Sequence, residues 1–273
     1  MTHKQEHRRS FIVITSLLLA GVSVVPDPVF AGTNQPPSAQ QLLDSVVAQM
    51  PNQPVLIVGR LGVRDRAQRT LRAYNVDIRL HINGKSVSGC YTLFDALGAT
   101  LEQFKMEREP GKQPRYEYEK GDPLQSSPLP GLFDVIRDTG VSWSDLTFPF
   151  LWWRDGSVAG EDSYKGRDCF IVELCPPQSE VKQPMKLRVW IDQKYRMFLK
   201  AEEYDAAGKM LRRLSVVSFK KINEEWMVKD IAVEGSPNLP SGYKSVLVIR
   251  DMHAVGGTAG ANPATDTPTR ILD

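Results

Sequence analysis

Between Tyr74 and Ile82 the chain alternates: Tyr74, Val76, Ile78, Leu80 and Ile82 are apolar, and Asn75, Asp77, Arg79 and His81 between them are polar. A period of two is that of a strand with one buried and one wet face. Asn83-Gly84 follows, a dipeptide that suits a two-residue hairpin turn. Return strands are expected over 86–94 and 100–108, and Glu109-Pro110-Gly111-Lys112 then turns the chain into a strand over 115–119. After Gly160 the pattern resumes, with strands expected over 164–174, 186–192, 197–204, 210–222, 226–234 and 243–250. Strands joined by short turns are antiparallel, because a parallel pair needs a long crossover. A meander of this length curls, and its apolar inner face then needs cover.

Two segments offer that cover. Leu42, Leu43, Val46, Val47 and Met50 recur at helical spacing behind the N-cap candidate Ser38, so a helix is expected over 38–50, ended by Pro51 and Pro54. Residues 121–160 interrupt the strands and begin with Pro123, Pro128 and Pro130. Leu132, Phe133, Val135 and Ile136 read as a short helical stripe ended by Gly140, and Ser142 or Ser144 as the cap of another short helix. The fold class expected is α+β, mainly β: a highly curved antiparallel sheet with an N-terminal helix and a helical lid insert. The expected organisation is an export signal over 1–31, one domain over 32–254, and a disordered tail over 255–273, rich in Gly, Ala, Thr and Pro.

Lys4, Arg8 and Arg9 precede an apolar run from Phe11 to Val25, and Val29-Phe30-Ala31 fits a signal-peptidase site. That order is that of a secretory signal, and it implies a periplasmic protein cleaved after Ala31. The alternative is an uncleaved N-terminal anchor, which the shortness of the run disfavours. Without residues 1–31 the chain keeps 31 basic and 30 acidic residues, too balanced to favour a nucleic-acid partner.

Catalytic and metal-binding motifs are missing from the sequence. His81 and His253 are the two histidines after residue 31, and no Cys-x-x-Cys, H-E-x-x-H or G-x-S-x-G occurs. Neither a metal, a cofactor nor an enzymatic activity is expected. Cys169 and Cys175 lie on one expected strand, too far apart to bridge; pairing of one of them with Cys90 stays open.

The positive signal is apolar. Phe148, Phe150, Trp152 and Trp153 place four aromatics in six residues, in a Pro-containing segment unsuited to a central strand. Either these rings plug the open end of the curved sheet, or they form the lid and lining of an apolar pocket. The candidate ligand-binding set is Leu132, Phe133, Ile136, Leu146, Phe148, Phe150, Leu151, Trp152 and Trp153, with Trp190 added from a strand.

Leu146-Thr147-Phe148-Pro149-Phe150-Leu151, Gly160-Glu161-Asp162-Ser163-Tyr164-Lys165-Gly166-Arg167-Asp168 and Val189-Trp190-Ile191-Asp192 resemble the outer-membrane lipoprotein-sorting family related to the LolA and LolB carriers. The stretch from Lys200 to Lys209 and Trp226-Met227-Val228-Lys229-Asp230-Ile231 extend the resemblance, which covers roughly 140–250 and the first half by element order. It implies an unclosed antiparallel β-barrel whose helical lid closes over a cavity for lipoprotein acyl chains, a fatty acid or another lipid. It also implies an arginine tying lid to barrel, for which the sequence singles out no residue. Two functions follow: a periplasmic carrier or sensor of acyl groups, or an envelope module whose barrel is filled by its own side chains and whose outer surface binds a protein partner.

Overall fold

The structure, a computed structural model, describes residues 36–177, 184–223 and 225–255; the expected signal and all but the first residue of the expected tail lie outside them. It opens with α1 (Ala39–Ala48), which Ser38 and Gln41 start with a reciprocal capping box. Six strands follow: β1 (Val55–Arg64), β2 (Thr70–Asn83), β3 (Ser86–Phe94), β4 (Thr100–Arg108), β5 (Arg115–Lys120) and β6 (Gln125–Ser126). An irregular stretch then holds α2 (Trp143–Thr147) and a 3-10 turn (Pro149–Trp152). The second half contains β7 (Gly156–Tyr164), β8 (Arg167–Leu174), β9 (Lys186–Asp192), β10 (Phe198–Tyr204), β11 (Met210–Val216), β12 (Phe219–Ile222), β13 (Glu225–Val228), β14 (Ile231–Glu234) and β15 (Lys244–Ala254).

Thirteen of these strands form one antiparallel curved sheet that does not close, in the order β6-β5-β4-β3-β2-β1-β15-β14-β11-β10-β9-β8-β7. The two halves of the chain join where β1 pairs with β15. A bulge at Val58/Gly59 bends that seam, and a Cβ on Gly59 would stand 2.9 Å from the Val248 carbonyl. Further bulges in β2–β1, β4–β3, β10 and β7 add curvature. The concave face carries the main core, with Leu61, Val76, Leu93, Phe104, Val172, Val189, Val233 and Ile249 among its buried residues. α1 buries Leu42, Leu43, Val46 and Val47 into this core and packs beside the 3-10 turn.

Several expectations are corrected. The sequence pattern marks no strand over 55–64, yet β1 lies sixth of the thirteen, paired with β2 on one side and β15 on the other. The expected strand 164–174 is β8 from Arg167 onward, but Tyr164 ends β7, because Lys165 and Gly166 both take positive φ (51° and 73°) in the hairpin turn between them. The expected strands 210–222 and 226–234 each break in two. Ser218 Oγ donates to Asp230 at 2.6 Å there, and β12 and β13 leave the main sheet as their own ladder. The stripe Leu132-Phe133-Val135-Ile136 is not helical but a run of turns. Ile136 N–H bonds the Val141 carbonyl, Val135 bridges Ser142, and Arg137 reverses the chain at φ 51°. Between Pro130 and Gly140 too few residues remain to offset the cost of nucleating a helix.

Candidate ligand cavity and lid

Residues 127–155 cross the concave face as a lid. Ser142 caps α2, accepting from the Asp145 N–H at 3.3 Å, while Asp145 accepts from the Ser142 N–H at 2.8 Å. Trp143 is thereby aimed at the first half of the sheet, where it stacks on Phe104 with centroids 4.6 Å apart and meets Tyr118 edge-on at 5.9 Å. Phe148 and Phe150 meet Phe198 of β10 edge-on, at 4.9 and 5.6 Å. At the lid's start, Arg72 and Tyr74 of β2 hold Asp138, each at 2.6 Å, and Arg137 pairs with the buried Glu102 at 2.7 Å.

The lid's most deeply buried polar tie is to Arg212 of β11. Its Nη2 donates to both Asp145 carboxylate oxygens at 2.7 Å and to Ser142 Oγ at 2.9 Å. Its Nη1 donates to the Gly140 carbonyl at 2.9 Å, and its Nε pairs with Glu203 of β10 at 2.8 Å. Gly140 lies so close to β15 and the loop before it that a Cβ would come within 3.0 Å of Ser245 Oγ and 2.9 Å of Leu239. Burial alone would pull the Arg212 pKa down, but the Asp145 and Glu203 charges outweigh it and hold the guanidinium charged. Burial pushes Glu203 up, and Arg212 opposes that shift while Asp145 adds to it. One cation between two carboxylates cannot fully compensate both.

Beneath the lid lies an apolar cavity of about 60 Å³. Met50, Ile57, Ile78, Leu80, Ile82, Val87 and Tyr91 line it from the helix end and the first half. Met227, Ile231, Leu247, Ile249 and Met252 line it from the second half, and Leu146, Phe148 and Trp152 from the lid. Asp145, Thr147 and Lys229 add the polar atoms. Phe148, the joint between α2 and the 3-10 turn, takes φ 46°, a left-handed conformation that a bulky residue adopts only under constraint. The free volume is well below the roughly 300 Å³ at which ligand pockets begin, so side chains occupy most of the hollow.

Of the sequence-derived residues, Leu146, Phe148 and Trp152 line the cavity. Leu132, Ile136, Phe150, Leu151 and Trp153 are buried in the surrounding core, and Phe133 packs against it half-buried. Trp190 lies elsewhere: on the convex face it packs with Cys169 and Leu199, its ring 3.4 Å from Lys200 Nζ and its Nε1 donating to Asp162 at 2.9 Å. Val189 and Ile191, one residue to either side, take the concave face. The sequence reading missed Trp143, Asp145, Glu203 and Arg212. A signal for Arg212 existed: it shares strand phase with the inward Leu214 and Val216.

Two open recesses flank the lid. One, of about 650 Å³, includes Tyr74, Glu102, Tyr118, Arg137, Asp138 and Trp143. The other, of about 670 Å³, includes Arg108, Tyr116, Trp152, Trp153, Arg154 and Cys175. All three cysteines are free thiols, Cys90 and Cys169 buried and Cys175 exposed. Among the described residues no group of His, Cys, Asp and Glu could hold a metal, and no helix is long and apolar enough to cross a membrane.

A family model described as that of an uncharacterized protein matches residues 137–257. No curated protein matches the sequence. Among solved structures, the fold is similar to a DUF1329 family protein from Desulfovibrio piger at TM-score 0.67 and 15% identity, covering 83% of this chain and 94% of that one. It is equally similar to an outer membrane lipoprotein-sorting protein domain from Vibrio parahaemolyticus, at 0.67 and 15%, covering 82% and 93%. A LolA superfamily protein from Nitrosomonas europaea follows at 0.57 and 18%, covering 80% and 93%. The chain therefore shares its fold with LolA-superfamily and lipoprotein-sorting proteins, as the sequence motifs implied.

Proposed function

We propose that this chain is an exported periplasmic protein that holds an apolar chain in the hollow under its lid, whether a lipoprotein acyl group, a fatty acid or another lipid. The observation that carries the reading is the cavity lined from both halves of the sheet and closed by Leu146, Phe148 and Trp152. A fold shared with lipoprotein-sorting proteins supports it, although fold alone does not assign function. Because only about 60 Å³ is free, a ligand enters by displacing the lid's rings, with Phe148 as the strained joint about which they move. No catalytic step is required of the site. The small free volume also supports the second reading, a self-filled module whose surface binds an envelope partner.

Mass spectrometry of protein purified from the periplasm without detergent separates the two. Co-purifying lipid or fatty acid is expected. Titration with a fluorescent fatty acid should show that Trp152→Ala changes affinity by more than its effect on stability accounts for. Clean protein that binds no probe, with Trp152→Ala acting as a plain core truncation, decides for the self-filled module.

A further inference from the structure

β4 turns its even-numbered side chains to the concave face: Glu102, Phe104 and Met106 are buried there, and Arg108 ends the series. A cation in that phase of an apolar lining calls for an anionic partner. Arg108 is half-buried, its Nη2 donates to the Trp152 carbonyl at 3.2 Å, and its guanidinium lies 6.0 Å from the Trp152 ring centre. Among the described residues no carboxylate pairs with Arg108 or with Arg154, which lines the same groove. The two charges are close enough that, after burial, Arg154 pulls the Arg108 pKa down. Lys112 adds a third cation, paired with Glu109, and Asp155 supplies the acidic group of the lining.

The groove and the apolar cavity share Trp152, and Arg108 faces the cavity-lining Val87 across the β3–β4 pair. Trp152 itself keeps a buried Nε1–H with no acceptor. An apolar hollow, the Arg108 guanidinium and an unmet donor thus meet at Trp152, and the exposed Arg154 lines the same groove.

We propose that this groove is the headgroup site for an anionic amphiphile, with Arg108 and Arg154 binding its carboxylate or phosphate while its tail lies in the cavity behind Trp152. The proposal rests on the apolar-ligand reading above and names the ligand's charge. A bound oxyanion screens the two cations from each other and takes fork-like, charge-assisted hydrogen bonds from them. A neutral ester of the same chain gains neither.

The test uses the mature full chain, the fluorescent polyene parinaric acid and its methyl ester, at about pH 8 so that the acid is ionised. Wild type should bind the acid roughly tenfold tighter than the ester, about what one charge-assisted hydrogen bond contributes. In the double variant Arg108→Gln, Arg154→Gln that ratio should fall to near one, and Lys at both positions should restore part of it. Dodecyl phosphate should displace the acid where inorganic phosphate at the same concentration does not. Equal binding of acid and ester by wild type, or a ratio that survives the double substitution, overturns the headgroup site while leaving the apolar-ligand reading intact. Equal displacement by inorganic phosphate marks a free-anion site and also overturns it. Failure of both probes to bind removes the two readings together.

Discussion

Replacing Arg212 by Met should loosen the lid at a cost set by the two carboxylates left behind. Asp145 and Glu203 are 5% and 9% exposed, so neither can turn to water without moving its element. The substitution deletes the donors to both Asp145 oxygens, to Glu203, to Ser142 Oγ and to the Gly140 carbonyl. Breaking a buried ion pair from one side costs about 3–5 kcal/mol, most of it from the unpaired charge that remains. For a domain of this size that corresponds to a melting-point drop of roughly 6–20 °C, at about 2–4 °C per kcal/mol. Urea unfolding at neutral pH measures the loss through the midpoint, provided that the slope is unchanged. Adding Asp145→Asn and Glu203→Gln should recover most of it, since the Asn carbonyl can still accept from the Ser142 N–H and no charge is then stranded. A loss below about 1 kcal/mol, the scale of a solvated surface pair, would refute the buried latch.

The free thiols make a second expectation: a thiol reagent should label Cys175 in the native protein and reach Cys90 and Cys169 only on unfolding. Cys175 is exposed, whereas burial raises the Cys90 pKa and holds Cys169 at about 11; two fast thiols in native protein would contradict this. Glu203 gives a pH dependence. Burial raises its folded pKa above the ordinary 4.5, so between the unfolded and folded values the folded state binds more protons than the unfolded chain. Its contribution to stability is therefore full below the ordinary value and is lost as pH rises through the folded one. Glu203→Gln should flatten that slope, which urea midpoints across pH would show; an unchanged slope removes Glu203 as its source. Trp143→Ala should cost about 3–5 kcal/mol as a core truncation, and Trp143→Phe distinctly less because a ring still stacks on Phe104; equal losses would show that the stacking contributes nothing.

Local pattern made much of the sheet legible. The alternation over Tyr74–Ile82 with Asn83-Gly84 specifies β2, its turn and β3, and side-chain period and turn chemistry agree there. β1 escaped because Val55-Leu56-Ile57-Val58 is apolar at successive positions, the signature of a strand covered on both faces or of a buried helix. The helical misreading of 132–136 has the same origin, since short apolar runs carry no decisive period. The aromatic cluster falls in the segment that crosses the concave face, but which of its rings reach the cavity depends on Phe148 turning left-handed, and no spacing rule reveals that. Trp190 fell on the wrong face because β9 is buried on both sides, so apolar character alone does not show which way a residue points. Arg212 was hidden for another reason: its three partners in the lid, Gly140, Ser142 and Asp145, lie about seventy residues away along the chain.

The lid is held by two kinds of contact that do different work. An apolar sheet offers Trp143, Phe148 and Phe150 many nearly equivalent seats, because burial is rewarded by area and hardly at all by direction. The Arg212 fork is directional: Asp145, Ser142, Gly140 and Glu203 must all lie within hydrogen-bond reach of one planar group, and a shift of α2 by a single turn would break most of those bonds. The aromatics therefore supply adhesion and the arginine supplies register. A wedge meant only to fill a core would be served as well by apolar side chains of similar volume, which usually match or exceed a buried ion pair in stability. A lid that must leave and return to the same seat benefits from a tie that water can satisfy while it is open and that re-forms in one arrangement. On the proposed apolar-ligand reading the buried triad gives the lid one seat to return to, whereas a self-filled module would hold the same contacts permanently shut.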